Sequence, residues 1–223
     1  MKRARAADSK GRPTKRQAKT QNFAFKKAMV RAKTDELKNI DVLTTGTITF
    51  GQTTANLALL NGVDDGATSL TRVGRKIVIT SLAWRWQGSV GPTTTGASGL
   101  RLLIVRDSQT NAAAPLATDI LQVDAIHSMM NLDNSKRFKV LVDHLVPCVG
   151  TSGPQAWNEK GFIQFEKPLK GKPGLEVTFN NASTATVASI TTGSIYALFY
   201  QNGQLLVASP TSNLYTRCRF IDA

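Results

Sequence analysis

The chain of 223 residues carries 28 Lys and Arg against 15 Asp and Glu, a formal net charge of +13, with 41% hydrophobic residues, 17 Gly and 8 Pro. That apolar fraction is enough to bury a core in one ordinary domain, so disorder throughout is excluded. The longest apolar run, six residues at 195–200, is far short of the roughly 20 that span a bilayer, so membrane insertion is not expected.

The charge is not spread evenly. Twelve of the cations (Lys2, Arg3, Arg5, Lys10, Arg12, Lys15, Arg16, Lys19, Lys26, Lys27, Arg31 and Lys33) and one acid, Asp8, fall within residues 1–33, a local net of +11. The other 190 residues hold sixteen cations and fourteen acids, a net of only +2. Residues 1–34 therefore read as a basic arm, and 35–223 as the folded body. The run KRARAADSKGRPTKRQAK has no apolar periodicity, so the arm cannot offset its own ordering entropy and is expected to be largely disordered or partly helical.

Such charge density attracts polyanions, because each phosphate neutralised releases a condensed counterion. The twelve cations are thus the candidate nucleic-acid-binding residues; a merely solubilising tail more often uses acids. Lys2-Arg3 and Lys15-Arg16 flank an eleven-residue spacer, the form of a two-part nuclear import address, which would add host import machinery as a partner. Phe25, Ala28, Met29 and Ala32 fall at helical spacing in a stretch without Gly or Pro, so a short basic amphipathic helix is expected there. A membrane-surface helix fits the same spacing, but Phe23 and Phe25 are the arm's only aromatics and no leucine precedes Leu37, which favours nucleic acid. The arm also lacks the continuous apolar centre of a secretory signal, so an intracellular protein is expected.

Beyond the arm the periodicity changes to two. Leu82, Trp84 and Trp86 alternate with Ala83, Arg85 and Gln87, and Leu175, Val177 and Phe179 alternate with Glu176, Thr178 and Asn180. Eight strands are predicted, at 40–50, 75–87, 100–107, 137–146, 161–167, 175–180, 194–201 and 214–221. One short helix is predicted at 118–123, after Pro115, with Thr118 or Asp119 as its cap. Gly, Pro, Asn and Asp cluster at 61–69, 91–99, 149–154, 168–174 and 180–189, where they end strands. The loops at 61–69, 91–99 and 149–158 are long and polar enough to lie on an outer surface. The expected fold is all-β, an eight-stranded antiparallel jelly-roll sandwich, though pattern alone does not fix the strand order.

Chemistry is scarce. Cys148 and Cys218 cannot staple a framework and form no Cys-x-x-Cys pair, so both read as reduced, semi-buried thiols. His127 and His144 lie seventeen residues apart with no His-x-His, against the clustered ligands of a metal-dependent jelly-roll enzyme, and His144 reads as structural. No Gly-x-Ser-x-Gly elbow frames a serine nucleophile, so no catalytic residue, enzyme activity or cofactor is assigned. Gly62, Gly66 and Gly74 with Arg72 and Arg75 suggest a nucleotide loop, but no Gly-Lys-Ser/Thr run follows and turn chemistry is the better account. Asp64-Asp65 could bind calcium at a subunit contact, though adjacent acids in a polar loop are more often solvated. Trp84, Trp86 and Trp157 could stack bases, though packing in the core or at a subunit contact explains them better.

Several stretches carry a resemblance. ELKNIDV at 36–42, LLNGVDDGATSLTRVGRKIVITSL at 59–82, LRLLIVRDSQTNAAAPLATDIL at 100–121 and MMNLDNSKRFKVLVDHLV at 129–146 occur in that order. Together they resemble capsid proteins of small circular single-stranded DNA viruses that encode a rolling-circle replication protein (CRESS-DNA viruses), whose coats look similar to that of satellite tobacco necrosis virus. The resemblance implies a single jelly roll with sheets B-I-D-G and C-H-E-F. It also implies a shell of triangulation number one, made of about sixty copies, with arms turned inward onto the genome, a virion location and passage through the host nucleus. Sixty arms of +11 would bring on the order of 660 cationic charges to single-stranded nucleic acid, DNA by the resemblance. A nearly neutral body lets copies approach one another. The alternative is a non-capsid protein that coats or transports nucleic acid, which should carry a basic, aromatic face on the sandwich itself.

Overall fold

The computed structural model describes residues 37–44, 56–90, 97–149, 155–165, 175–202 and 211–223. All twelve arm cations, and the helix expected around Phe25, lie outside the described residues.

The described chain forms ten strands: β1 (Lys38–Thr44), β2 (Asn56–Leu59), β3 (Lys76–Val90), β4 (Ala97–Asp107), β5 (Phe138–Val149), β6 (Gln155–Gln164), β7 (Leu175–Phe179), β8 (Ile190–Thr192), β9 (Ser194–Asn202) and β10 (Thr211–Asp222). They pair antiparallel into two sheets. One runs β1-β10-β3-β7-β8; the other runs β2-β9-β4-β5. The fifteen-residue β3 takes two partners along one edge, β7 beside Lys76–Ile79 and β6 beside Ser81–Val90.

In jelly-roll lettering β1, β2, β3, β4 and β5 are B to F, β6 and β7 together occupy the place of G, and β9 and β10 are H and I. The sheets are then B-I-D-G and C-H-E-F, the order expected from the resemblance. The fold is a jelly roll.

Four elements depart from the sequence expectation. Strands β2 and β8 were not foreseen, because NLAL and ITT are too short to display a period of two. β6 begins at Gln155 rather than 161, since its first half, QAWNEK, has no apolar alternation and is held by pairing with β3 alone. The predicted helix is one turn, α1 (Ala117–Ile120), shorter than 118–123. Its cap position is Leu116, whose backbone N–H donates to the Asp119 carboxylate at 2.8 Å, so Asp119 closes the turn from inside it. Of the first predicted strand, residues 45–50 fall outside the described residues.

Alternation drives the packing between sheets. Ile77, Ile79, Leu82, Trp86, Leu214 and Phe220 from one sheet meet Leu100, Leu102, Ile104, Ile195 and Phe199 from the other, all essentially inaccessible to water. Burial of each such side chain is worth about 1.5–3 kcal/mol. Cys218 lies in this layer, its thiol directed at the Leu60 carbonyl 3.5 Å away, fully buried rather than semi-buried. Desolvation there pushes the thiol up to about 12.

Opposite Arg219 and Phe220 of β10, β3 carries a bulge whose extra residue is Thr80, and its hydroxyl donates to the Arg219 carbonyl at 3.2 Å. Gly161 faces Trp84 in register, and a Cβ there would stand 2.4 Å from an indole carbon, so only glycine lets the ring lie over β6.

Candidate functional site

The outer faces of the two sheets differ. On the β2-β9-β4-β5 sheet the segment linking β4 to β5, residues 108–137, folds back over the strands and seals a second core. Leu103, Val105, Tyr196, Leu198 and Tyr200 point outward from the sheet and are buried under Ile120, Leu121 and Ile126. Strands β4 and β9 are therefore apolar on both faces, which is why 195–200 reads as an unbroken apolar run instead of an alternation.

Polar ties hold this layer down. The Arg101 guanidinium donates to both oxygens of Asp143 at 2.7 Å and to the carbonyls of Ile126 and Ser128 at 2.7 and 2.9 Å. Fully buried Asp107 accepts two hydrogen bonds at 2.9 Å from Arg137, whose own charge these bonds hold above its ordinary range. Burial likewise pushes the Tyr196 and Tyr200 hydroxyls above theirs.

Among polar side chains such as Gln122, His127 and Asp133, the layer also turns large apolar ones to solvent. Met129 is 75% exposed and Leu132 73%, with Leu116 and Val123 close behind. The N–H of Gln122 bonded to the Met129 carbonyl at 2.9 Å, and that of Asn131 bonded to the Ile120 carbonyl at 2.8 Å, draw the two halves of the segment together. Large exposed apolar side chains of this kind suit contact with another surface. A second, smaller group, Leu37, Leu70 and Val73, lies where β1 begins, joined by the Asn39 N–H to the Ser69 carbonyl.

The β1-β10-β3-β6 face has no covering segment among the described residues. Its outward residues form rows across the strands: Leu43, Tyr215, Arg85 and Lys160 in one; Asp41, Arg217, Ala83 and Phe162 in the next; Asn39, Arg219, Ser81 and Gln164 in the third. Arg217 holds Asp41 with two hydrogen bonds of 2.7 and 2.6 Å, and that contact keeps the Asp41 carboxyl below its ordinary range. Arg85, Lys160 and Arg219 make no ion pair with another described residue. The sheet twist leaves a concavity of about 590 Å³ over β10, lined by Leu43, Arg85, Gln87, Tyr215 and Arg217. In the sequence this set is marked only by Tyr215, Arg217 and Arg219 at alternate positions.

The remaining candidates resolve as structural. Arg72, 2% exposed, donates to the carbonyls of Val63 at 3.3 Å and Ala182 at 2.6 Å and to that of Gly74, and lies 4.4 Å over the Phe179 ring. It fastens the 61–74 turn and is not offered to a phosphate. Asp65 sits 3.7 Å from Arg72, and no group of three metal-ligating side chains exists among the described residues. His127 is exposed on the covering layer, whereas His144 is on the inner face of β5 with its Nε2 3.6 Å from Glu159 and its ring 6.5 and 6.3 Å from those of Trp84 and Trp86. The two histidines thus lie on opposite sides of one sheet. Trp84 and Trp86 are core residues; the side chains of Trp157 and Cys148 lie outside the described residues. Among the described residues no helix is long and apolar enough to cross a membrane.

No protein-family model matches the chain, and no curated protein does. Among solved structures it is similar to a chain of Desmodium yellow mottle tymovirus at 10% identity over 100% of this chain and 89% of that one, TM-score 0.34. It is similar to one of turnip yellow mosaic virus at 12% identity over 85% and 82%, TM-score 0.35. A third is VP1 of trichodysplasia spinulosa-associated polyomavirus in complex with 3'-sialyllactose, at 9% identity over 84% and 94%, TM-score 0.29. At these scores the likeness carries no functional conclusion; the fold assignment rests on the strand order itself.

Proposed function

We propose that the chain is a structural capsid protein that assembles with about sixty copies of itself into a closed icosahedral shell and packages single-stranded nucleic acid, DNA by the resemblance, through its basic arm. The observation that carries this reading is the pairing of opposites in one chain. Residues 1–33 hold a net charge of +11, while the jelly roll they precede is nearly neutral and turns Leu116, Val123, Met129 and Leu132 to solvent. Apolar surface of that kind favours contact with further copies, and closure by symmetry keeps such contact finite. The arm of each copy then supplies cation to the packaged polymer. On this reading the protein resides in the virion and passes through the host nucleus with the import machinery as partner.

A second reading is favoured by one observation: the cationic, aromatic face of the β1-β10-β3-β6 sheet is what a non-capsid coating protein should carry. Sedimentation of the purified protein before and after nuclease separates the two. Fast, uniform particles that survive nuclease, seen as closed shells in electron micrographs, support the capsid; monomers and amorphous complexes that fall apart on digestion support the coating protein. Deleting residues 1–33 should abolish nuclease-protected nucleic acid while leaving the sandwich folded by circular dichroism. Unchanged nucleic-acid content would remove the arm from this role.

A further inference from the structure

Two features of the bare sheet face belong together. Among the described residues its rows carry Arg85, Lys160, Arg217 and Arg219 against a single acid, Asp41, which Arg217 already holds. It also presents two rings, Tyr215 at 42% and Phe162 at 60% exposure, on strands separated only by β3. Neighbouring strands lie about 4.8 Å apart and the two residues stand one row apart along them, about 7 Å, so they are roughly 12 Å from one another, within the reach of two or three successive nucleotides. A positively charged groove with aromatic platforms is the physical requirement for holding a single strand without regard to sequence: cations take the phosphates and rings take the bases. A duplex, whose bases are already stacked, cannot use the rings. A second copy of this same face would set cation against cation, so charge complementarity favours a polyanion.

We propose that the outer face of the β1-β10-β3-β6 sheet is a second binding surface for single-stranded nucleic acid, with Arg85, Lys160 and Arg219 holding phosphates and Tyr215 and Phe162 stacking bases. Arg217, engaged by Asp41, stiffens the centre of the surface. The surface rests on the nucleic-acid role that both readings proposed above share, and it stands apart from the arm both in sequence and in kind. The arm contributes charge alone, whereas the sheet adds stacking that salt does not screen.

The test uses the full chain and a 20-nucleotide thymidine oligomer containing 5-iododeoxyuridine. Photocrosslinks are expected at Tyr215 and Phe162 as well as within residues 1–33. The triple variant Arg85→Ala, Lys160→Ala, Arg219→Ala should lower the slope of log affinity against log salt by about two, since each phosphate contact on a single strand contributes about 0.7. The control Lys136→Ala, Lys139→Ala, exposed cations on and beside the covering layer, should leave it in place. The double variant Tyr215→Ser, Phe162→Ser should weaken binding at high salt by roughly fivefold or more per ring. Crosslinks confined to residues 1–33, with an unchanged slope, would overturn the sheet surface and leave the arm standing. Crosslinks on the sheet but none on the arm would do the reverse. An equal loss in the control would show a bulk charge effect and overturn the proposal. So would a change of oligomeric state in the triple variant with binding intact, which would assign the face to subunit contact.

Discussion

The two sheets of this jelly roll present outward faces of opposite character. The β2-β9-β4-β5 face is roofed by residues 108–137 and has become a second core, with Tyr196, Leu198 and Tyr200 shut away from water. The β1-β10-β3-β6 face has no roof among the described residues and carries Arg and Lys beside Tyr215 and Phe162. On the roofed side Asp107, Asp119, Asp124, Asp133 and Asp143 are balanced by Arg101, Arg106, Lys136, Arg137 and Lys139, while the open rows set four cations against Asp41 among the described residues. The excess positive charge of the described body is therefore not spread evenly but gathers on the open face. Total charge concealed what the placement of charge reveals.

The sharpest way to break the comparison is to remove one aromatic from the roofed face. Phe138 is 3% exposed beneath the layer, and Phe138→Ala should cost about 3–5 kcal/mol by urea unfolding, the range for emptying a well-packed aromatic site. Next is the tie itself. Arg101→Met removes the bidentate grip on Asp143 and strands the carbonyls of Ile126 and Ser128. Because Asp143 is partly exposed and regains water, the expected cost is only about 2 kcal/mol. Hydrogen exchange should localise the damage, with amides at 116–131 exchanging faster and those of β10 unchanged. Exchange accelerating equally in both sheets would show that the layer is not a separable unit. Gly161→Ala tests the open sheet from its inner side: a Cβ 2.4 Å from the Trp84 indole should cost about 1–3 kcal/mol and shift tryptophan fluorescence.

Titration sharpens the comparison further. Burial raises the Tyr200 hydroxyl above the value of about 10 it has in the unfolded chain. Between those two values the native state holds a proton that the unfolded state has released. The stabilisation is accordingly complete below pH 10 and declines as pH rises, by about 1.4 kcal/mol per unit for one such group. Tyr196 acts in the same direction. Tyr200→Phe should flatten the alkaline limb of the stability curve, measured as urea midpoint against pH, provided the loss of one buried hydroxyl leaves the roof in place. An identical limb in wild type and variant would count against a sealed roof.

Much of this was legible in the residues. The alternation of Leu82, Trp84 and Trp86 with Ala83, Arg85 and Gln87 marks β3 and its inner face, and seven of the ten strands lie where their patterns put them, with β6 displaced toward Gln155. The roof was legible too, though not read: continuous apolar stretches at 102–105 and 195–200 mean burial on both faces, and only a covering segment supplies the second. The open face was harder. Arg85, Lys160 and Tyr215 become neighbours only through the pairing of β10, β3 and β6, and register between strands seventy or more residues apart leaves no local trace. β2 and β8, at four and three residues, are specified by the strands they join rather than by themselves.

The smallest expected effect is the most discriminating. Phe162→Ala and Tyr215→Ala remove aromatic rings as Phe138→Ala does, from a sheet of the same fold, yet each should change stability by no more than about 0.5–1 kcal/mol, because a large part of each side chain already meets water and less apolar area is lost. A ring kept on an open sheet face contributes little to folding and therefore answers to another demand. If each variant unfolds with the wild-type midpoint while single-strand binding falls, that demand is recognition. If either variant loses 2 kcal/mol or more, the ring is packed against something in solution, the face is not open, and the contrast between the two sheets disappears.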